Sequence, residues 1–202
     1  MTLSEVLCEA GEPTRYVYFP IGGFISLLAE VDGERVLEVG MIGREGMLGV
    51  QLAVGVREQP LRAIVQGSGT ALRIGEASFR RELAGSAALR STLSSYLYLL
   101  LIQHAGAAAC IRYHTIEPRL ARWLLMTHDR AGTPSFHVTQ EFLAYMLGVR
   151  RVGVTHAATR LQQRGLITYA RGEITVVDRP GLEAAACTCY AKDRSAYAAQ
   201  LA

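Results

Sequence analysis

The stretch VTQEFLAYMLGVRRVGVTHAATRLQQRGLITYARGEITVV, residues 138–177, decides the fold of the C-terminal part of the chain. Thr139 is a suitable N-cap for a first helix, because its hydroxyl can accept a hydrogen bond from an unpaired amide at the helix start. Gly148 favours the left-handed conformation of a tight turn, and a second helix is predicted over residues 150–163. The predicted apolar face of the pair comprises Phe142, Leu143, Met146, Leu147, Val154, Ala157, Ala158 and Leu161.

Two short strands are predicted after the second helix. Gly165 ends that helix, and the runs 166–170 and 173–177 are expected to pair through a turn at Arg171 and Gly172. A helix, a glycine turn, a second helix and a hairpin follow one another in a winged helix-turn-helix. An amphipathic helix pair with a glycine turn also occurs as a purely structural unit, which is the alternative interpretation.

The solvent-facing positions of the second helix suit DNA. In such motifs its first turns enter the major groove, where arginine can bond to guanine O6 and N7 through two hydrogen bonds. The helix N-terminus also attracts phosphate, Val152 could contact a thymine methyl, and Arg171 could contact the DNA backbone. The residues expected to bind DNA are Thr139, Arg150, Arg151, Val152, Thr155, His156, Thr159 and Arg171.

The net charge of +3 is divided unevenly along the chain. Residues 1–113 carry 10 arginines and 11 acidic residues, whereas residues 114–182 carry 9 arginines and 5 acidic residues. All basic residues of the second segment are arginine, which suits bidentate contacts with phosphate and guanine. This distribution favours a near-neutral sensing or assembly part joined to a part that meets a polyanion.

The N-terminal part is predicted to be a β-roll. Residues 1–75 hold 12 of the 20 glycines, and the segments between them are short and apolar or alternating. Asp32 and Gly33 suit a hairpin turn, because both can adopt positive φ. Several short strands at this spacing are typical of a β-roll or barrel.

A long helix of roughly seven turns is predicted after the roll. Its apolar rows contact the roll on one face and a second copy of the chain on the other in the favoured interpretation. A buried helix without a dimer is one alternative, and a membrane span over residues 93–111 is another. The residues expected at the dimer contact are Leu89, Leu93, Tyr96, Leu100, His104, Ala107 and Ile111.

The periodicity and the charge change together at a linker over residues 112–116. Pro118 can sit only in the first turn of the next helix, which is expected to end near residues 130–132. The predicted α+β chain therefore has a β-roll over 1–84, a dimerisation helix over 85–113 and a winged helix-turn-helix with a C-terminal tail over 114–202.

Three segments together resemble the Crp/Fnr (cyclic-AMP receptor protein/fumarate-nitrate regulator) family of bacterial transcription factors. LGVRRVGVTHAATRLQQRGLI (147–167) is similar to the family's turn and recognition helix, HTIEPRLARWLL (114–125) to its helix after the hinge, and GEPTRYVYFPIGGFISLL (11–28) to its first roll strands. The resemblance implies that Arg151 reads guanine. Val152 and His156 replace a glutamate and an arginine of the best-known branches, which implies a different operator.

The sensor half departs further from that family. Its nucleotide-binding members hold the cyclic phosphate with a Gly-Glu-x-Gly turn and an Arg-Ser pair. Glu45 and Gly46 match part of that turn, but Arg62 is followed by Ala63. We therefore take Glu45, Gly46 and Arg62 as candidate effector-binding residues and expect an effector other than cyclic AMP. An iron–sulfur cluster is not expected near the N-terminus, because Cys8 alone cannot supply its ligands.

No cofactor, metal site or enzymatic activity is predicted. Cys187 and Cys189 are interpreted as a tail pair rather than metal ligands, because no partners for them are evident nearby. The histidines form no zinc motif, and no catalytic or P-loop signature is present. The N-terminus lacks the pattern of a secretory signal, so a cytoplasmic location is expected.

The sequence thus predicts a homodimeric regulator that binds a palindromic operator in double-stranded DNA through the helix 150–163. RNA polymerase would be a further partner. The alternative is a ligand-binding or protein-interaction module in which the helix-turn-helix is only structural.

Overall fold

A computed structural model describes residues 1–33 and 35–201 of the chain. The N-terminal part contains six strands, with a short 3-10 helix, Val50–Val54, between the fourth and fifth. The strands are β1 (Val6–Cys8), β2 (Tyr16–Pro20), β3 (Phe24–Val31), β4 (Arg35–Ile42), β5 (Arg62–Gly67) and β6 (Ala71–Gly75).

These strands form the predicted β-roll. One antiparallel sheet has the order β1-β5-β3-β4, and β2 pairs with β6 in the other. Asp32 and Gly33, between β3 and β4, have φ values of 57° and 71°, which confirms the predicted turn. Apolar side chains inside the roll form one of its cores, comprising Ile25, Leu27, Ile42, Leu48 and Ala63.

Two helices follow the roll, α1 (Glu76–Gly85) and α2 (Ala87–Tyr113). Helix α2 has 27 residues and begins at an N-cap where the Ser86 side chain accepts from the Leu89 amide. Its length and mean hydropathy of 1.3 would suit a membrane span, but the core helix of a soluble protein has the same properties. One face of α2 packs in a cluster with Val17, Met47 and Phe79 of the roll and α1.

The contact face of α2 differs from the one expected for a dimer. Leu93 and Tyr96 are only 5% and 3% exposed inside their own protomer, so their assignment to the dimer contact is wrong. Apolar residues surround α2, and the periodicity did not show which face the roll would cover. Of the other expected contacts, Ile111 is exposed, and the partly buried ones are Leu89, Leu100, His104 and Ala107.

The C-terminal part carries the remaining elements. Helix α2 extends to Tyr113 and only His114 and Thr115 precede the next helix, so the linker is shorter than the predicted 112–116. The elements are α3 (Ile116–Ala131), β7 (Ser135–His137), α4 (Gln140–Leu147), α5 (Arg151–Gln163), β8 (Ile167–Ala170), β9 (Glu173–Val176), α6 (Arg179–Ala185) and α7 (Cys189–Leu201). The three strands pair antiparallel in the order β7-β9-β8.

The helix-turn-helix packs directly against the roll. Phe24, Leu28 and Met41 of the roll belong to the same buried cluster as the apolar residues of α3, α4 and α5. At the turn between α4 and α5, a Cβ added to Gly148 would lie 2.8 Å from Leu37 of β4. The roll and the C-terminal part therefore share a continuous core.

Candidate nucleic-acid interface

The α4–α5 unit has the geometry of a helix-turn-helix. The Thr139 hydroxyl accepts a hydrogen bond from the Phe142 amide at 3.1 Å, which confirms the predicted N-cap. Gly148 has φ 62° and ψ 41°, the left-handed conformation expected for the turn. Helix α5 begins at Arg151, with Arg150 as its N-cap, one residue later than predicted. Its predicted buried residues are confirmed as Val154, Ala157, Ala158 and Leu161.

Helix α3 holds the other face of α5. A Cβ on Gly153 would lie 2.5 Å from the Ile116 side chain, so only glycine lets the two helices approach this closely. Glu117 forms ion pairs with Arg160 at 3.2 Å and with Arg164 at 3.1 Å. These contacts orient α5 so that its N-terminal turns face outward.

A groove of about 380 Å³ lies between the starts of α4 and α5 and the β8–β9 hairpin. Arg151 and Arg171 contribute its positive charge, and Arg171 and Gly172 form the hairpin turn with φ values of 53° and 83°. The groove is lined by Thr139, Gln140, Glu141, Arg151, Tyr169, Arg171 and Gly172. The sequence analysis missed Gln140, Glu141 and Tyr169, although the hairpin prediction placed Tyr169 beside the wing.

Tyr169 fixes the hairpin against the start of α4. Its hydroxyl donates to the Val138 carbonyl at 2.8 Å. Burial raises the pKa of Tyr169 to about 12, and the positive charge of Arg151 opposes that rise. The hydroxyl therefore stays protonated and available as a donor at neutral pH.

The residues expected to bind DNA lie on one surface but differ in their availability. Arg150, Arg151, Val152, His156 and Arg171 are exposed. The partly buried Thr155 donates its hydroxyl to Gln140 Oε1 at 2.6 Å, which links α5 to α4. The Thr159 hydroxyl donates to the Thr155 carbonyl at 2.8 Å. Both threonine hydroxyls thus have partners within the helix-turn-helix.

The exposed arginines of this surface have no acidic partner. Within residues 1–33 and 35–201, no carboxylate lies within 4.0 Å of the guanidinium of Arg150, Arg151 or Arg171. Their charge is therefore available to an anionic ligand.

The three candidate effector residues are engaged with different partners. Arg62 pairs with Glu9 at 3.0 Å, whereas Glu45 pairs with Arg130 of α3 at 2.6 Å. A Cβ on Gly46 would lie 2.2 Å from the Tyr96 hydroxyl, so this glycine accommodates α2. The structure shows no phosphate cradle that combines Glu45, Gly46 and Arg62 among the described residues.

Glu45 instead borders a pocket of about 230 Å³ between the roll and the C-terminal helices. Charged groups from both parts line it, and the Tyr197 hydroxyl of α7 donates to Gln103 of α2 at 3.2 Å beside it. The lining residues are Arg44, Glu45, Gln103, Met126, Asp129, Arg130, Tyr190, Asp193, Arg194 and Tyr197.

Comparison with known proteins gives consistent matches. A family model of the Crp-like helix-turn-helix domain matches residues 118–185. The CRP-like protein Clp of Xanthomonas euvesicatoria pv. vesicatoria (strain 85-10) is 24% identical over 184 residues, which cover 83% of this chain and 77% of that protein.

Solved structures show the same fold over most of the chain. FixK2 from Bradyrhizobium japonicum is similar with a TM-score of 0.76 and 16% identity, covering 92% of this chain and 94% of that one. The c-di-GMP-responsive global regulator CLP of Xanthomonas campestris is similar with a TM-score of 0.69 and 18% identity, covering 87% and 91%.

A roll, a long helix and a DNA-binding helix-turn-helix define a two-part transcription regulator, and such regulators are not enzymes. The chain belongs to the Crp/Fnr family, as the three sequence segments had indicated.

Proposed function

We propose that this regulator acts as a homodimer in the cytoplasm and reads a palindromic operator in double-stranded DNA with α5 in the major groove. Arg150 and Arg151 contact base edges and phosphates at the start of α5, and Arg171 contacts the backbone from the wing. RNA polymerase is the further partner through which transcription would change.

The observation that carries this proposal is the groove between α4, α5 and the wing. It presents Arg151 and Arg171 together, without acidic partners among the described residues. The helix N-terminus beside them adds unpaired amides and the positive end of the helix dipole. Guanidinium groups and amides that converge on one groove suit a phosphodiester backbone with guanine edges next to it.

The experiment is selection of binding sites from random duplexes by the full chain, followed by titration of the selected duplex. We expect half-sites with centres about one helical turn, roughly 34 Å, apart. Arg151→Ala should weaken binding about 10- to 100-fold, as expected for loss of a bidentate guanine contact worth about 1–3 kcal/mol. Arg81→Ala is the matched control, because it removes an exposed arginine of α1 far along the chain from α5.

The alternative, a module with a purely structural helix-turn-helix, gives a different result. In that case selection enriches no sequence, and Arg151→Ala and Arg81→Ala bind any duplex equally well or not at all even at low salt. Such a result would overturn the proposal.

The exposed face of α2 supports the homodimer. Tyr98, Leu101 and Ile102 are 54%, 67% and 39% exposed, and the exposed small residues Ala105, Ala108 and Ala109 continue this face. Apolar side chains followed by alanines allow two helices to pack closely about a two-fold axis. We expect a dimer at micromolar concentration by sedimentation and a monomer for Leu101→Glu. A monomeric parent chain would overturn the assignment of α2.

We propose that the sensor responds to a ligand other than cyclic AMP. Glu45 and Arg62 already form ion pairs with Arg130 and Glu9, and Ala63 replaces the serine of the family's phosphate-binding pair. Calorimetric titration with cyclic AMP should show no binding. Cyclic di-GMP is the second probe, because the similar regulator of Xanthomonas campestris is described as responsive to it. Micromolar binding of cyclic AMP would contradict this part of the proposal.

A further inference from the structure

Four potential metal ligands converge where α2 ends and α7 begins. Cys110, His114, Cys187 and Cys189 each place one ligand atom so that all four atoms lie within 4.8 Å of one another. The Sγ atoms of Cys110 and Cys187 are 3.6 Å apart, and Cys189 Sγ is 3.7 Å from His114 Nδ1. The partners that Cys187 and Cys189 lacked in the sequence are therefore present in the fold.

We propose that Cys110, His114, Cys187 and Cys189 form a tetrahedral binding site for one thiophilic divalent ion, Zn²⁺. With Zn–S bonds of about 2.3 Å and Zn–N bonds of about 2.0 Å, neighbouring ligand atoms of a tetrahedral site lie roughly 3.5–3.8 Å apart. The two measured distances fall in that interval. Three cysteines with one histidine is also a common ligand set of structural zinc sites.

The spacing of the ligands along the chain agrees with this geometry. Cys110 and His114 are four residues apart at the end of α2, so their side chains lie on the same helix face. The His114 amide donates to the Cys110 carbonyl at 3.0 Å, which holds both on the last turn. Cys187 and Cys189 flank the start of α7, rather than lying on a strand where alternate side chains would point apart.

The surroundings suit a metal ion. Cys110 and Cys187 are 1% and 6% exposed, whereas His114 and Cys189 are partly exposed and leave a route of entry. A hydrogen bond from the Cys110 thiol lowers the pKa of Cys187 to about 5, and the positive charge of Arg122 acts in the same direction. Arg122 also balances the net negative charge that three thiolates would leave on a bound Zn²⁺.

Two other uses of the cluster fit less well. A disulfide would join two of the cysteines and leave the third cysteine and the histidine without a role. A multi-iron cluster binds its cysteines through different iron atoms, which requires wider separations than those observed. One ion is the ligand that uses all four groups at these distances.

The position of the site suggests its role. The Cys187 amide donates to the Pro118 carbonyl of α3 at 3.3 Å, and α7 packs along α2. An ion bound here would hold the end of the long helix to α7 and, through Pro118, to the helix that supports α5. Metal occupancy would thereby set the orientation of the DNA-binding unit relative to α2.

The test is metal binding by the reduced full chain, freed of metal and titrated with Zn²⁺ and with Co²⁺. We expect one ion per chain and the ligand-field absorption of tetrahedral cobalt thiolate. Cys189→Ser and His114→Gln should weaken Zn²⁺ binding about 100-fold or more, since each removes a direct ligand. Both positions are partly exposed, so these variants should fold, which circular dichroism would verify. Cys8→Ser, at the fourth cysteine on β1, is the matched control and should bind like the parent.

Three outcomes would overturn the site. They are a reduced parent chain that binds neither ion, unchanged affinity in both Cys189→Ser and His114→Gln, and an iron–sulfur absorption spectrum of the anaerobically purified protein. None of these readouts involves DNA, so the result is independent of the operator experiment.

Discussion

The arginines of residues 114–182 fall into two groups with opposite surroundings. On the surface formed by α5 and the wing, Arg150, Arg151 and Arg171 are exposed and have no acidic partner among the described residues. Elsewhere the guanidinium groups are engaged. The ion pairs are Arg122–Asp193, Arg130–Glu45, Arg160–Glu117, Arg164–Glu117 and Arg179–Asp129, and Arg119 donates to the Leu147 carbonyl.

This difference shows where the positive charge of the segment can act. The 5 acidic residues that partly offset its 9 arginines include Glu117 and Asp129, which are paired inside the fold. The excess is therefore concentrated at the groove, where three guanidinium groups face solvent. The paired arginines connect helices and, through Arg130 and Glu45, join α3 to the roll. The first group should affect ligand binding and the second stability.

The largest expected effect is on stability, at Arg130. Its side chain is 8% exposed and holds the Glu45 carboxylate at 2.6 Å. Arg130→Ala would leave that carboxylate partly buried without its partner, which should lower the free energy of unfolding by about 3 kcal/mol. For a chain of this size we expect Tm to fall by roughly 6–12 °C in a thermal unfolding scan.

Arg151→Ala is the comparison for that measurement. Removal of an exposed, unpaired arginine should change the free energy of unfolding by less than about 0.5 kcal/mol. Equal losses of stability in the two variants would mean that the division into paired and unpaired arginines has no energetic meaning.

A smaller effect is expected at Glu38, which lies between the roll and α3. Burial raises the pKa of this carboxyl to about 7, against the hydrogen bonds from Ser26 and Trp123 and the charges of Arg130 and Arg122. The folded chain thus holds a proton that the unfolded chain releases above about pH 4.5. Stability should therefore fall by roughly 2 kcal/mol as the pH rises from 5 to 8.

Glu38→Gln should remove most of that dependence. Its amide can still accept from Trp123 and donate to Ser26, so the variant should match the parent at pH 5 and exceed it at pH 8 in urea unfolding. Glu58→Gln, at an exposed position, is the control and should leave the pH dependence unchanged. A parent chain that is more stable at pH 8 than at pH 5 would contradict the prediction.

The sequence was most informative where local chemistry determines local structure. Thr139, Gly148 and the wing turn at Arg171 and Gly172 have the conformations that their side chains favour, so the helix-turn-helix could be predicted closely. The face of α2 could not, because a helix that is apolar all round does not reveal which side its own roll will cover. Leu93 and Tyr96 were misassigned for that reason.

Contacts between residues far apart in the chain could not be predicted from one sequence. Glu45 suggested a phosphate-binding turn, but Arg130, 85 positions later, occupies its carboxylate. Cys187 and Cys189 looked isolated because Cys110 and His114 approach them only through the packing of α7 on α2. The four-residue spacing of Cys110 and His114 on a predicted helix was the one signal available, and it becomes informative only when a second pair is recognised.

The smallest expected effect separates two of the unpaired arginines by their contacts with DNA. Arg171 lies at the tip of the wing and should touch only phosphate, so Arg171→Ala should weaken binding to selected and unrelated duplexes by the same factor. The slope of log affinity against log salt should fall by about 0.9, as for the loss of one phosphate contact. Arg151→Ala should instead weaken binding mainly to the selected duplex, because a base contact contributes only where its base is present. Fluorescence anisotropy at several salt concentrations measures both quantities. If the two variants lose the same selectivity, the wing reads sequence as well, and the division of labour within the unpaired group is wrong.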